Sequence, residues 1–252
     1  MSCYKDFAKI YDQLINCDID YKSWSEFILS ICKEQSVNFL DYLDLACGTG
    51  NMAEQICTKF KNTWLVDMSN EMLSEAESKL RNMGVKAKFV CQNIKDLNLN
   101  KKFDLITCCL DSTNYILKEK DLINYFHNVK MHLKEDGIFV FDINSYYKLT
   151  DILGNNVYNY DDDSVTYIWE NSLNNEIVDM FLTFFVREEE MYRRFDEEHS
   201  ERAYKEEKIE SILDGAGFKK ICKFDNYELK KVSEKTERIV YVVMVKGESN
   251  SG

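Results

Sequence analysis

The sequence predicts an α/β protein, a doubly wound, mostly parallel seven-stranded sheet with an antiparallel β insertion. Three observations predict it. Between residues 41 and 142, short apolar runs alternate with segments whose apolar residues recur every three or four positions, the rhythm of strand–helix–strand units. The first run ends in a glycine-rich turn, Gly48-Thr49-Gly50, that passes directly into a helical pattern. Between about 145 and 203 the apolar period changes to two, which marks antiparallel hairpins.

Each element follows from its own pattern. Tyr4, Phe7, Ile10, Tyr11 and Leu14 predict a short amphipathic helix over 4–16. Trp24, Phe27, Ile28, Ile31 and Cys32 predict a second, with Ser23 as its N-cap. Strand one occupies 41–47, with Leu43 and Leu45 buried, and a helix over 51–60 carries Met52, Ala53, Ile56 and Phe60. Strand two is 63–67; Ser69 caps a helix that runs to about Met83 and stops at Gly84. Strands three and four are 87–91 and 103–109. A helix containing Leu122, Tyr125, Phe126, Val129 and Leu133 ends before Gly137, and strand five is 138–142. In the insertion, Val165, Tyr167 and Trp169, then Val178, Met180, Leu182, Phe184 and Val186, alternate with more polar neighbours around turns at 171–175 and 188–190. A helix over 205–214, closed by Gly215 and Gly217, resumes the main fold, and strands near 218–226 and 237–245 complete it. The expected organisation is a main domain from 1–144 and 204–246, with an N-terminal helical lid at about 1–36 and the insertion 145–203 as a cap.

Composition narrows the class. A chain of 252 residues, 45% hydrophobic and 13% aromatic, can bury a substantial core. It has no apolar run long enough to span a membrane, and its first residues lack a signal-peptide apolar region, so a cytoplasmic protein is expected. With 44 acids against 32 bases the net charge is −12, which repels phosphate backbones. The basic pairs, such as Lys101-Lys102 and Arg193-Arg194, are scattered, so a small acceptor is expected rather than a nucleic acid. Nine cysteines without a C-x-x-C pair fit a reducing compartment, and three histidines without ligand spacing give no expectation of a metal. Proline is absent.

The glycine turn opens a nucleotide-binding βαβ unit, where glycines let backbone approach a ligand beside a helix N-terminus. A dinucleotide loop needs G-x-G-x-x-G. With the middle glycine on Gly48, Ala46 and Asn51 fill the other places, so two of three fail. What fits is acid-x-small-x-Gly-x-Gly with Asp44 as the acid. This resembles the first motif of the class I S-adenosylmethionine (SAM)-dependent methyltransferases, whose fold is Rossmann-like. The departure is Ala46, where that family usually has glycine, and it is expected to tighten the loop only slightly. The run Asp67-Met68-Ser69-Asn70-Glu71-Met72-Leu73 is similar to that family's D-x-S-x-x-M-L run.

The resemblance implies a set of cofactor neighbours. Ala46, Cys47, Gly48 and Gly50 would form the loop around the cofactor. Asp44 would face the amino group of its methionine part, bond the loop's own N–H groups, or do both. Asp67 ends strand two, where an acid accepts from ribose hydroxyls, although a lone acid there also serves as a helix cap. Met68 would pack on the adenine face, Asn93 would accept from the adenine amino group, and the Ile94 N–H would meet a ring nitrogen. Leu110, Asp111 and Ser112 follow strand four and would lie near the reacting sulfonium. Tyr11 would border the cofactor through a cation–π contact, whereas Tyr4 reads as core.

For proton transfer the sequence offers His199. It lies in Glu197-Glu198-His199-Ser200-Glu201-Arg202-Ala203-Tyr204, which resembles an E-x-H-x-x-R-A-Y segment of uncharacterised bacterial members of the family. The other reading is a salt bridge to its acidic neighbours; His127 and His132 read as structural. Cys108-Cys109 ends a buried strand and is not expected to be a nucleophile. Asp111-Ser112-Thr113-Asn114-Tyr115 lacks the paired prolines of methyltransferases acting on the exocyclic amines of bases. The expected function is methyl transfer from SAM to an N, O or S atom of a small-molecule acceptor chosen by the insertion. A catalytically idle SAM-binding module and an NAD-binding oxidoreductase are the alternatives.

Overall fold

The computed structural model describes Asp12 and residues 19–245. The expected helix over 4–16, including Tyr4 and Tyr11, lies outside those residues except for Asp12.

Seven strands form the main sheet: β1 (Asp41–Leu45), β2 (Asn62–Asp67), β3 (Ala87–Cys91), β4 (Phe103–Cys108), β5 (Leu133–Asn144), β10 (Lys220–Asp225) and β11 (Arg238–Met244). Their order is β10-β11-β5-β4-β1-β2-β3, in which β11 alone runs opposite to the other six. β1 pairs with both β2 and β4, so the chain leaves it in one direction for β2 and β3 and returns on its other side for β4 and β5. Ligands bind outside the carboxyl ends of strands at such a switch point.

Strand alternation sends neighbouring residues to opposite faces, and five helices among the described residues cover both. On one face α1 (Tyr21–Glu34), α2 (Asn51–Ile56) and α3 (Asn70–Asn82) pack Ile28, Met52 and Leu80 against Tyr42, Leu65 and Val140. On the other, α4 (Glu119–His132) and α5 (Glu206–Ala216) pack Phe126, Val129 and Leu213 against Leu43, Ile106 and Phe141. Each such buried side chain contributes about 1.5–3 kcal/mol of transfer free energy.

Four further strands make a separate antiparallel sheet in the order β6-β7-β8-β9: β6 (Val157–Asp161), β7 (Val165–Asn174), β8 (Ile177–Glu188) and β9 (Met191–Arg202). A single π-helical segment, Lys148–Leu153, leads into it from β5, and Leu149 and Leu153 pack beneath Val178 and Met180. The two sheets are tied by polar bonds. Asn114 Nδ2 donates to the Asn144 and Arg202 carbonyls at 3.1 and 3.0 Å, and Arg202 Nη1 donates to the Leu117 carbonyl at 2.9 Å.

Several boundaries differ from the expectation. α1 begins at Tyr21 with Asp20, not Ser23, as N-cap: Asp20 Oδ1 accepts from Ser23 N at 3.0 Å, and the earlier start buries Tyr21 and Trp24. β7 runs on to Asn174 because Asn171 and Leu173 pair with Met180 and Val178, which leaves a tight turn at Asn175 and Glu176. β5 starts at Leu133, and its register against β4 shifts between Phe103 and Leu105. Gly137 lies in that irregular stretch rather than in a helix-ending turn; a Cβ there would come within 2.9 Å of the Phe103 carbonyl oxygen. Gly215 lies inside α5, and Gly217 alone, at φ +91°, ends it.

Candidate active site at the β1/β4 switch point

The loop after β1 passes through left-handed backbone at Ala46 (φ +49°), Gly48 (+52°) and Gly50 (+80°). Ala46 therefore carries more than a slightly tighter loop. An alanine held there costs about 1 kcal/mol relative to ordinary backbone, which explains the usual glycine. At Gly50 a Cβ would lie 3.0 Å from that of Ala76, so α3 packs onto the loop only because the residue is glycine. At Gly48 a Cβ would meet nothing within 4 Å, and the loop stands open to the cleft.

Asp67 fixes this loop. Its Oδ2 accepts from Gly48 N at 2.8 Å and its Oδ1 from Ser69 N at 2.9 Å, while Ser69 Oγ caps α3 by accepting from Met72 N at 3.2 Å. The loop N–H that the sequence offered to Asp44 is thus held by Asp67. Burial raises the Asp67 pKa, opposed by those N–H bonds. Asp44 is 2% exposed. Thr107, directly opposite in β4, donates its hydroxyl to Asp44 Oδ1 at 2.6 Å, and Tyr42 is bonded to the same Thr107 oxygen at 2.9 Å. Asp44 Oδ2 is buried without a partner. Burial first, then the proximity of Asp67, pushes the Asp44 pKa up to about 7.

The loop after β4 is also left-handed, at Leu110 (φ +61°) and Asp111 (+51°). Asp142, fully buried near the end of β5, holds it in place, its two oxygens accepting from Leu110 N (2.8 Å) and Asp111 N (2.6 Å). The same carboxylate accepts from Tyr227 and from Arg238 Nη1, each at 2.5 Å. Arg238 Nη2 binds Asp111 Oδ1 at 2.8 Å, and its guanidinium lies 5.2 Å from the Trp24 ring centroid.

Between these loops lies a cleft of about 380 Å³, open mouth included. Of the residues expected from the sequence, Asp44, Ala46, Cys47, Gly48, Leu110 and Ser112 line it. Gly50 and Asp67 stand behind it as supports, and Asp111 is turned to Arg238. Met68 is 68% exposed beyond β2. Asn93 Oδ1 accepts from Lys95 N at 3.1 Å, capping a short 3-10 turn that begins at buried Ile94. Tyr11 lies outside the described residues, but its neighbour Asp12 is bonded at the loop: Thr49 Oγ1 (2.5 Å), Asn51 Nδ2 (3.0 Å) and Lys79 Nζ (3.0 Å) all donate to it.

His199 sits on β9, its Nδ1 3.5 Å from the Tyr115 hydroxyl. Burial lowers its pKa, and Asp111 partly opposes this. The buried acids Glu197 and Glu201 lie two residues to either side of it. His132 is structural, with Nε2 accepting from Leu99 N at 2.9 Å and Nδ1 donating to the Asn128 carbonyl at 2.7 Å. Burial pushes the Cys108 thiol up to about 12 and raises that of Cys109, which leaves no thiolate for nucleophilic attack.

Sequence reasoning missed Thr107, Asp142, Arg238 and Tyr21, which also lines the cleft. Thr107 needed the β1/β4 register and Arg238 the β5/β11 pairing, neither of which local periodicity shows. Glu201 carried a legible signal: acids and a histidine at 197, 199 and 201, every second position of a strand, on the face that packs inward.

A sheet of this order, with a glycine loop and buried acids at the switch point, defines an α/β enzyme of the nucleotide-cofactor class. A family model described as a methyltransferase domain matches residues 43–137. The crystal structure of a S-adenosylmethionine-dependent methyltransferase from Clostridium acetobutylicum ATCC 824 is 59% identical, with a TM-score of 0.92 over 97% of this chain and 100% of that one. The Bacillus subtilis (strain 168) protein YqeM, named as a methyltransferase, is 31% identical over 85% of this chain and 86% of its own length. A dTDP-3-amino-3,4,6-trideoxy-alpha-D-glucopyranose N,N-dimethyltransferase of Streptomyces venezuelae is 25% identical over 54% of this chain and 56% of its own. The chain belongs to the SAM-dependent methyltransferase family. The residues present fit that cofactor: Asp44 offers a buried, unpartnered carboxylate oxygen to an ammonium group, and Gly48 leaves space beside the loop.

Proposed function

We propose that the chain methylates an N, O or S atom of a small-molecule acceptor held between the cleft and the four-stranded sheet. When bound, SAM supplies an activated methyl group on its sulfonium. The protein's own work is to align and to exclude water. Asp67, its oxygens each retaining acceptor capacity, would hold the ribose hydroxyls. Asp44 would pair with the methionine ammonium. Asn93, the Ile94 N–H and Met68 would surround the adenine, Leu110 and Asp111 would border the methyl group, and Tyr11 would close over it. His199, held neutral near pH 7 by burial, would accept a proton from the acceptor.

The observation that carries this reading is the position of the polar inner face of β9. Glu201 Oε2 accepts from Asn144 Nδ2 at 2.8 Å, which brings β9 over the carboxyl ends of β4 and β5 beside the glycine-loop cleft. A small acceptor also agrees with the net charge of −12 and with the amino-sugar substrate named for the Streptomyces relative. Screening metabolites for release of S-adenosylhomocysteine (SAH) tests it. Turnover should appear with a small acceptor and fall about tenfold or more in His199→Ala. Turnover unaltered in that variant would remove His199 as the proton acceptor, and turnover confined to nucleic acid would refute the small-molecule reading.

A further inference from the structure

We propose that the acceptor is an amine and that Glu197 and His199 on β9 receive its nitrogen. The inference rests on the methyl-transfer reading above and names its substrate class. Glu197, His199 and Glu201 occupy alternate positions of β9 and so share the face of the four-stranded sheet turned toward the main sheet. Arg238 is engaged by Asp142 and Asp111 and Arg202 by Glu176 and the Leu117 carbonyl, while Lys148 lies near Glu201 and Asp111 rather than Glu197. Glu197 is not answered in this way. It is 5% exposed, its Oε1 is buried without a hydrogen-bond partner, and among the described residues no cation pairs with it.

The other buried unpartnered polar atoms of this region are two acceptors, Asn144 Oδ1 and Asn171 Oδ1, and two donors, Trp169 Nε1 and Arg202 Nε. An unpaired buried carboxylate oxygen is costlier than an unpaired neutral group, so among these atoms Glu197 Oε1 decides the ligand and asks for a cationic donor. An ammonium group is that ligand, with three donors and no acceptor. Aromatic rings stand on the same face: Phe184 and Phe195 stack at 5.0 Å between centroids, with Tyr167 at 5.5 Å from Phe184. Ring faces beside a carboxylate favour a cation with an apolar body. A carboxylic acid would be repelled, and an alcohol would supply one donor and no charge. Among the described residues no group of three or more acids, histidines or cysteines is close enough to hold a metal, so a bound cation of that kind does not explain the acids.

The entering ammonium gives one proton to the neutral His199 imidazole, which later passes it to solvent. The nitrogen's lone pair forms the new N–C bond while the methyl C–S bond breaks and leaves its pair on sulfur. The methylated nitrogen emerges as an ammonium whose charge Glu197 matches.

The test titrates matched pairs into SAH-saturated protein: benzylamine and benzyl alcohol, cyclohexylamine and cyclohexanol, glucosamine and glucose. The same pairs are assayed with SAM for SAH release. The amine of at least one pair should bind about tenfold more tightly than its alcohol. Glu197→Gln should cut that advantage to about threefold or less, with SAH affinity and Tm unchanged, whereas Glu197→Asp, which keeps the charge, should retain most of it. Alcohols binding or turning over as well as amines would overturn the proposal while leaving methyl transfer intact. So would an amine advantage that survives Glu197→Gln, or no saturable binding by any pair. Failure of SAH itself to bind would instead sink the underlying cofactor reading.

Discussion

Asp44 holds one carboxylate oxygen against the Thr107 hydroxyl and leaves the other buried and unpartnered at the cleft. Its pKa of about 7 makes the cradle titratable in an accessible range. In the proposed pairing with the methionine ammonium Asp44 acts as a carboxylate, so below pH 7 binding would first remove a proton. SAH affinity should therefore rise about tenfold from pH 6 to pH 8 and level off above it. Asp44→Asn should be weaker throughout and flat over that window. Asp67 is also raised, so the flattening in Asp44→Asn is what assigns the dependence; a wild-type protein with no pH dependence there would remove the ammonium role. At this scale the glycine loop, Asp44 and Asp67 were legible because they lie within one βαβ unit, where position along the chain translates directly into position in space. Which acid bonds the loop was not legible, since the Gly48 N–H meets Asp67 from a neighbouring strand.

The element that most constrains the site is the end of β5. Asp142 accepts four bonds, from Leu110 N, Asp111 N, Tyr227 and Arg238, and through them holds two consecutive left-handed residues after β4. Left-handed backbone at two non-glycine residues persists only where its surroundings over-determine it. Asp142→Asn would turn an amide N–H₂ toward donors and leave the Arg238 guanidinium without its buried partner. It should destabilise the fold by about 3–5 kcal/mol, measured by denaturant unfolding. A loss under about 1 kcal/mol would show that the loop holds itself. Strand five was readable from its apolar run, yet its function as a clip was not: the partners come from β4, the 227 turn and β11, which only sheet order brings together. The antiparallel hairpins show the complementary case. Period-two alternation named β7 and β8, and the register of β9 on β8 places Glu197, His199 and Glu201 on one face.

On the scale of the whole molecule, a cofactor cleft in one sheet lies beneath a second sheet whose inward face is acidic and aromatic. The bonds of Asn114, Asn144 and Arg202 lock that second sheet over the switch point, so the proposed acceptor site and the proposed cofactor cleft would belong to separate layers. No helix among the described residues is long and apolar enough to cross a membrane. The doubly wound class of the sheet followed from the alternation of strands and helices. The cap's contact with the main sheet did not, because it depends on side chains about 30 to 90 residues apart.

Calorimetric titration of the protein with SAH, and separately with NADH, distinguishes a SAM site from a dinucleotide site. SAH should bind saturably at one site per chain, NADH should give no heat of binding, and Asp67→Ala should weaken SAH by about tenfold or more. Tight NADH binding with no response to SAH, or an Asp67→Ala protein that binds SAH as wild type does, would contradict the account.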